Sequence, residues 1–479
     1  MRTTTESAIA GGSYQARIPI YPRSVKGRFR TLKWAILALA YGVYFLLPWV
    51  PWARTAAPDQ AVLFDIEQRR FYLFDLVVHA QDIFWLAGLL VIAALLLFFV
   101  TGIAGRLFCG YFCFQTLWTD VYILIERLVQ GERPARVRLG KAPWSAQKVL
   151  ELGLTHLLWV SVALLTGMTF TLYWGDASQL LAGMLAGTAP FPAYAAALFL
   201  TATTYTMAGL AREQVCTYMC PYARFQSAMF DADTLLVAYD RARGEGQSGR
   251  ARLARGLKSR GERREHGAGD CVDCGYCVQV CPTGIDIRNG LQIECIACAL
   301  CIDACDTIMG SLGWPRGLIR YASQRALEGG RTRLLRPKTI GYGVVLIAAV
   351  SALAWSIVSA SRLDMAVRQV RQPLYVVLSD RRIQNSYELK VNNKSGEALP
   401  VRITLQGLPR AELDLGGFER LVLEPEQRLR LRVHVRMPPA AGAEPLAFRF
   451  VLSAPQETGV APVQAPAYFS LPREPGGAR

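Results

Sequence analysis

Eight cysteines between Cys271 and Cys305 constrain this chain more than any other feature. The run Cys271, Cys274, Cys277, Cys281 ends in Pro282 and reads C-x-x-C-x-x-C-x-x-x-C-P. The run Cys295, Cys298, Cys301, Cys305 repeats that spacing ahead of Asp306. Thiolates spaced in this way are the ligands of two 4Fe–4S clusters, and in two-cluster modules the fourth cysteine of each run serves the other cluster. The spacing therefore predicts Cys271, Cys274, Cys277 and Cys305 around one cluster, and Cys295, Cys298, Cys301 and Cys281 around the second. Zinc also takes C-x-x-C pairs, but it needs two pairs rather than three cysteines at two-residue gaps with a fourth beyond.

The rest of the chain is built for a membrane. Of its 479 residues, 52% are hydrophobic, and the formal net charge is +16. Five apolar runs are expected to span: 34–52, 83–104, 152–174, 191–210 and 340–358. Basic residues gather in 1–33, 105–148 and 211–339, which hold 33 Lys/Arg against 18 Asp/Glu. The positive-inside rule then puts these three segments in the cytoplasm and residues 360–479 in the periplasm. All twelve cysteines lie between Cys109 and Cys305, on the reducing side of that topology. The first thirty residues have no apolar h-region, so no cleavable signal peptide is expected. The basic excess reads as topology and anionic-lipid contact; no aromatic-interleaved basic motif supports nucleic-acid binding.

Residues 360–479 read as strands. Short runs at 374–378, 386–391, 401–405, 428–435 and 447–452 are rich in Val, Leu, Ile, Tyr and Phe, and turn residues such as Asn392–Asn393 and Pro438–Pro439 separate them. Leu429, Leu431, Val433 and Val435 alternate with polar residues. An immunoglobulin-like β-sandwich is expected, with His434 as a sheet residue. The fold class is thus a polytopic α-helical membrane protein with five spans. It carries a cytoplasmic two-cluster ferredoxin-like α+β insert at about 265–310, within 211–339, and the carboxy-terminal sandwich.

A second cysteine pattern remains. Cys109-Gly-Tyr-Phe-Cys113 follows the second apolar run, and Cys216-Thr-Tyr-Met-Cys220-Pro221 follows the fourth. Each is trailed by a glutamine (Gln115, Gln226) and an aspartate (Asp120, Asp231), as in an internal repeat. If helical, each pair sets both sulfurs on one face. Four such thiolates could hold Cu(I), zinc or a further iron–sulfur cluster. The plainer alternative, buried cysteines acting as small hydrophobes, fits less well beside a ferredoxin module. Met219 could add a thioether, although a single methionine is more often packing. His79 and His156 each lack a partner set and read as packed or interfacial residues.

These motifs, from Gly105-Arg-Leu-Phe-Cys109 through Gln115-Thr-Leu-Trp-Thr-Asp120, Cys216–Ser227, Cys281–Arg288 and Glu294–Asp306, resemble the cytochrome c oxidase accessory protein family CcoG, also called FixG or RdxA. The resemblance covers most of the chain. The first C-x-x-x-C is followed by Phe114 where the family pattern has proline, a change that bears on local backbone shape. The resemblance implies a role in assembling cbb3-type oxidase in the bacterial inner membrane, as a cupric reductase that supplies Cu(I). It further implies a cytoplasmic electron donor, copper ions, and oxidase subunits or copper chaperones as partners. Cys109, Cys113, Cys216 and Cys220 form a candidate copper or additional redox site, because thiolate ligands favour Cu(I) over Cu(II). Two other functions fit the same residues: a quinol-linked membrane electron carrier, and a redox-sensing assembly scaffold.

Overall fold

A computed structural model describes residues 19–54, 58–254, 257–418, 421–439 and 444–472. Residues 1–18 of the basic amino-terminal segment lie outside the described residues. The chain divides into two compact units, Met1–Pro48 with Leu86–Val350, and Trp49–Trp85 with Ser351–Arg479.

The first unit is a helical bundle with the cysteine-rich insert. Helix α1 (Arg28–Leu46) is followed by α2 (Ile83–Ala104), α3 (Leu107–Tyr111), α4 (Phe114–Gln130), α5 (Arg133–Lys141), α6 (Ala146–Leu172), α7 (Ala177–Ala186) and α8 (Phe191–Thr204). α8 continues as a π-helix over Tyr205–Ala211, and a last long helix spans Pro337–Val358. Leu89, Leu90 and Val91 of α2 and Val345, Ile347 and Trp355 of the last helix are exposed, the surface a helix shows to lipid. α6 and α8 pack closely: a Cβ on Gly167 would clash with the Ala197 carbonyl oxygen, the small-residue contact common between membrane helices.

Five helices are long and apolar enough to cross a membrane: Arg28–Trp49, Ile83–Ala104, Leu107–Gln130, Ala146–Leu172 and Pro337–Val358. The segment 105–148, expected as a loop, is thus helical. Leu107–Gln130 is the most buried of the five, half covered by the rest of the protein. It starts against the cysteine-rich insert, where Tyr111 Oη donates to the Cys298 carbonyl (3.2 Å). It ends beside α5, whose Arg136 donates to the Pro22 carbonyl, next to Ser24, whose carbonyl accepts from Tyr276 of the same insert (3.0 Å). Four of these helices cover the expected runs 34–52, 83–104, 152–174 and 340–358; the fifth expected run, 191–210, lies in a pair bent by 86°, Ala177–Ala186 with Phe191–Ala211.

The second unit is all-β. A meander of β1 (Val62–Asp65), β2 (Arg70–Leu73) and β3 (Leu76–His79) forms a three-stranded sheet. In the cysteine-rich insert, outside this unit, β4 (Leu236–Tyr239) pairs with β5 (Ile319–Ala322). The sandwich then follows as β6 (Leu363–Gln369), β7 (Val376–Val377), β8 (Ile383–Asn393), β9 (Leu399–Gln406), β10 (Glu412–Asp414), β11 (Leu421–Leu423), β12 (Arg428–Met437), β13 (Leu446–Ser453) and β14 (Val463–Phe469). One sheet runs β10-β12-β8-β6 with β7 on β8; the other runs β11-β9-β13-β14. All pairings are antiparallel. Leu389, Val391, Val433, Val435, Phe450 and Phe469 from both sheets fill the core, so the alternation read along β12 is its buried face. His434 is a sheet residue whose Nδ1 meets Ser386 Oγ at 2.9 Å.

The meander was not foreseen. It docks on the sandwich through buried polar groups: Arg70 Nη1 and Tyr72 Oη both reach Glu426 Oε2, at 3.1 and 2.8 Å. Lys394 Nζ binds Asp82 at 2.9 Å. His79 is 1% exposed, and its Nδ1 lies 3.6 Å from Asp82.

Candidate metal centre

The eight insert cysteines line two adjoining cavities. Cys271, Cys274, Cys277 and Cys305 wall one. Cys281, Cys295, Cys298 and Cys301 wall the other, with Cys277 between them. The backbone explains the curl of both walls. Asp273 and Gly275 flank Cys274 at φ 47° and 66°, and Ala297 and Ala299 flank Cys298 at φ 53° and 60°. Left-handed alanines store strain of about 1–2 kcal/mol each, tolerated where a site demands the shape. In return, backbone N–H groups turn toward sulfur: Ala297 N–H bonds Cys295 and Leu300 N–H bonds Cys298.

Burial pushes the Cys277, Cys295 and Cys305 thiols up to about 12 and Cys301 well above its ordinary value. These groups stay protonated until a metal centre displaces the protons. Among the described residues no three His, Cys, Asp or Glu side chains converge as ligands of a single ion. The sulfurs stand around the cavities rather than about a point, and the donor chemistry suits iron–sulfur clusters. Cys274 is exposed, whereas Cys298 is buried.

Two of the four remaining cysteines pack against the wall of the second cavity. Cys109 and Cys216 pack on Val280, Ile296, Cys298 and Leu300. Cys109 lies within electrostatic reach of Cys113, Cys216 and Cys220. The Cys216 thiol is pushed up to about 11, chiefly by burial, with Cys113 and Cys220 adding and Arg106 opposing.

The motifs are not continuous α-helices, so the one-face expectation is corrected. Cys109 sits in α3 and Cys216 in a π-helical turn, Val215–Met219. Cys113 and Cys220 instead cap the next helices in extended conformation, with φ/ψ of −67°/124° and −80°/110°. Phe114 and Pro221 occupy equivalent first helical positions, so the missing proline leaves the backbone shape intact. Met219 is 59% exposed, turned to solvent rather than buried with the thiols. His156 Nδ1 meets Tyr205 Oη at 2.9 Å, as a packed residue.

The repeat is reciprocal. Gln115, after the first motif, donates to the Met207 and Arg212 carbonyls (2.8 and 3.2 Å) just ahead of the second motif. Gln226, after the second, donates to the Gly105 carbonyl (3.1 Å) just ahead of the first. Asp120 binds Arg30 and Lys33 of α1 at 3.2 and 2.9 Å. Asp231 binds Arg336 and Lys338 at the head of the last helix.

Three contacts join the two cysteine sets. Gly110 faces the second cavity's wall so closely that a Cβ would lie 2.8 Å from the Ile296 carbonyl oxygen and 2.9 Å from the Cys298 Cα. Tyr111 Oη donates to Cys298 O (3.2 Å). Arg106 donates to the carbonyls of Ile293, Cys295 (3.2 Å) and Ala223. None of these roles is read from the sequence, where Arg106 stands only within the Gly105–Cys109 motif.

A family model described as a 4Fe-4S dicluster domain matches residues 211–324. A second, described as the Ig-like fold at the C-terminus of FixG, matches residues 353–472. Nitrogen fixation protein FixG of Rhizobium meliloti is 39% identical over 482 residues, covering 92% of this chain and 91% of its own. Protein RdxA of Cereibacter sphaeroides is 43% identical over 404 residues, with 82% and 83% covered. Protein RdxB of the same organism is 41% identical over 446 residues, with 90% and 92% covered.

Proposed function

Because this chain belongs to the FixG/RdxA family, we propose that it serves the assembly of a cbb3-type cytochrome oxidase by reducing Cu(II) to Cu(I) at the four-thiol set. In this reading Cys271, Cys274, Cys277 and Cys305 hold one 4Fe–4S cluster, and Cys281, Cys295, Cys298 and Cys301 hold the other. Bound there, the clusters supply one-electron storage. Cys109, Cys113, Cys216 and Cys220 receive copper, and their soft donors favour the ion that has gained one electron. The insert lies in the cytoplasm and the sandwich in the periplasm, as the placement of basic residues supports. The exposure of Cys274 gives a soluble cytoplasmic donor its approach. Oxidase subunits or copper chaperones are the partners that take the Cu(I).

The observation that carries the reading is the backbone contact of Gly110 with Cys298. It brings the first thiol motif against a cysteine of the second cavity, with no side chain between. The test is anaerobic Cu(II) reduction by full-length, dithionite-reduced protein, read with a Cu(I) chelator. Cys216→Ala/Cys220→Ala with full iron content should lose stoichiometric Cu(I) formation. Equal yields from both proteins would rule out reduction at the thiol set.

One observation favours a second reading, the quinol-linked electron carrier. A cavity of about 210 Å³ beside Cys113 is lined by Tyr44, Phe114, Gln115, Trp118, Thr166 and Met207, among others. Ring-lined and largely apolar, it suits a membrane-soluble carrier. That reading requires quinone-dependent turnover without selective copper binding.

A further inference from the structure

The first cysteine of each ferredoxin run has its carbonyl held by a buried arginine. Arg263 donates to the carbonyls of Cys271 (2.8 Å), Gly269 (2.9 Å) and Ala251 (2.9 Å). Arg106 donates to those of Cys295 (3.2 Å), Ile293 and Ala223. The two are 0% and 4% exposed. Neither forms an ion pair with a carboxylate among the described residues, and each keeps one buried nitrogen with no hydrogen-bond partner, Arg106 Nε and Arg263 Nη1.

Several other enclosed cations are ion-paired instead. Arg288 is paired with Asp273 and Asp286, Arg136 and Arg212 with Glu126, and Lys33 with Asp120. Carbonyl dipoles satisfy a guanidinium's hydrogen bonds but do not cancel its charge, and Asp270, within electrostatic reach of Arg263, is itself bound by Arg243 and Arg260. Removing such a charge from water without a counter-ion is costly. The arrangement becomes economical when the neighbouring cavity holds an anionic centre, as thiolate-ligated clusters are.

We propose that Arg263 and Arg106 are the counter-charges of the two clusters, one each, and that they raise the clusters' reduction potentials by favouring the more negative, reduced state. The inference rests on the ligand assignment above. The two differ in origin. Arg263 belongs to the insert itself. Arg106 stands at the end of α2, three residues before Cys109, and its charge also reaches Cys109 and Cys216. One cation is therefore shared by the second cluster and the four-thiol set.

The test is a redox titration of full-length protein in detergent, with both midpoints followed by electron paramagnetic resonance. Arg106→Gln should move one midpoint to more negative potential and leave the other unmoved. Arg263→Gln should move the other. Arg106→Lys and Arg263→Lys, which keep the charge, should return each midpoint toward its original value. If neither Gln variant moves a midpoint, if both move the same one, or if Lys shifts it as far as Gln, the proposal fails. Should a Gln variant bind less than two clusters' iron, the Lys variant decides. Full iron with an unmoved midpoint supports the charge; lost iron or a Gln-like shift assigns the arginine to carbonyl bonding alone. The copper reading can fail in its own assay without altering these midpoints, so the two outcomes are separable.

Discussion

At Gly110 two backbones meet more closely than any side chain allows. A Cβ there would press on Ile296 O, Cys298 Cα and Cys298 N at 2.8, 2.9 and 3.0 Å, all backbone atoms that cannot swing aside. Gly110→Ala should cost about 1–3 kcal/mol through overpacking. It should also slow the reoxidation of pre-reduced protein by Cu(II) while iron content stays complete. Stopped-flow bleaching of the cluster absorbance measures this, and an unchanged rate would remove the contact from the pathway. The eight ferredoxin cysteines were legible in the sequence because their chemistry is a local spacing. Gly110, Arg106 and Arg263 were not. Arg106 meets a carbonyl 189 residues further on, and neither a glycine nor an arginine announces a partner so distant. The two C-x-x-x-C motifs were readable; the broken-helix geometry that carries them was not.

Among the elements, α4 departs furthest from the expected loop. It carries two carboxylates that tie the bundle together. Glu126 is held by Arg136 (3.0 Å) and by Arg212 of the second repeat, and Asp120 by α1. Glu126→Ala removes the paired carboxylate of buried Arg136 and half-buried Arg212, so it should destabilise the bundle by about 3 kcal/mol. Thermal unfolding in detergent, followed by loss of cluster absorbance, reads the effect; a transition unchanged within a degree would contradict it. Hydropathy alone could not separate α4 from a loop, because half of its stretch is buried and its carboxylates are paired internally. α1 shows the same economy. Its first N–H groups, from Phe29 and Arg30, are bound by the Asp303 carboxylate at 3.3 and 2.8 Å, so a helix start is capped from the ferredoxin insert rather than by its own neighbours.

At the scale of the whole molecule, the sandwich strands were legible wherever alternation was long, as in β8, β9, β12 and β13. The meander's strands have four residues each, too short for periodicity to show. Their buried polar groups give that unit a pH response. Burial, with Arg428 and Lys394 nearby and Asp82 opposing, lowers His79 to about 4. Below about 6.5 the unfolded chain takes up a proton that the folded one refuses. The stabilisation is therefore complete well above pH 6.5 and falls progressively toward pH 4, by on the order of 3 kcal/mol. Hydrogen exchange of residues 62–79 in the full-length protein, corrected for intrinsic rates, should show loosening between pH 7 and pH 5. His79→Gln should flatten that dependence; an unaltered slope would place its origin elsewhere.

The tie between the meander and the sandwich also sets an order of birth. Arg70 and Tyr72 are made early, yet Glu426 follows Arg70 by 356 residues. At about 5–20 residues per second, translation leaves the meander waiting roughly 20–70 s for its partner. Throughout that interval it presents an arginine and a tyrosine shaped for burial with nothing to bury them. Only a chain read nearly to its end can close this clasp. A ribosome that stalls after the last helix leaves a product whose meander has no Glu426 to close on, so residues 62–79 of unfinished copies stay open to proteases.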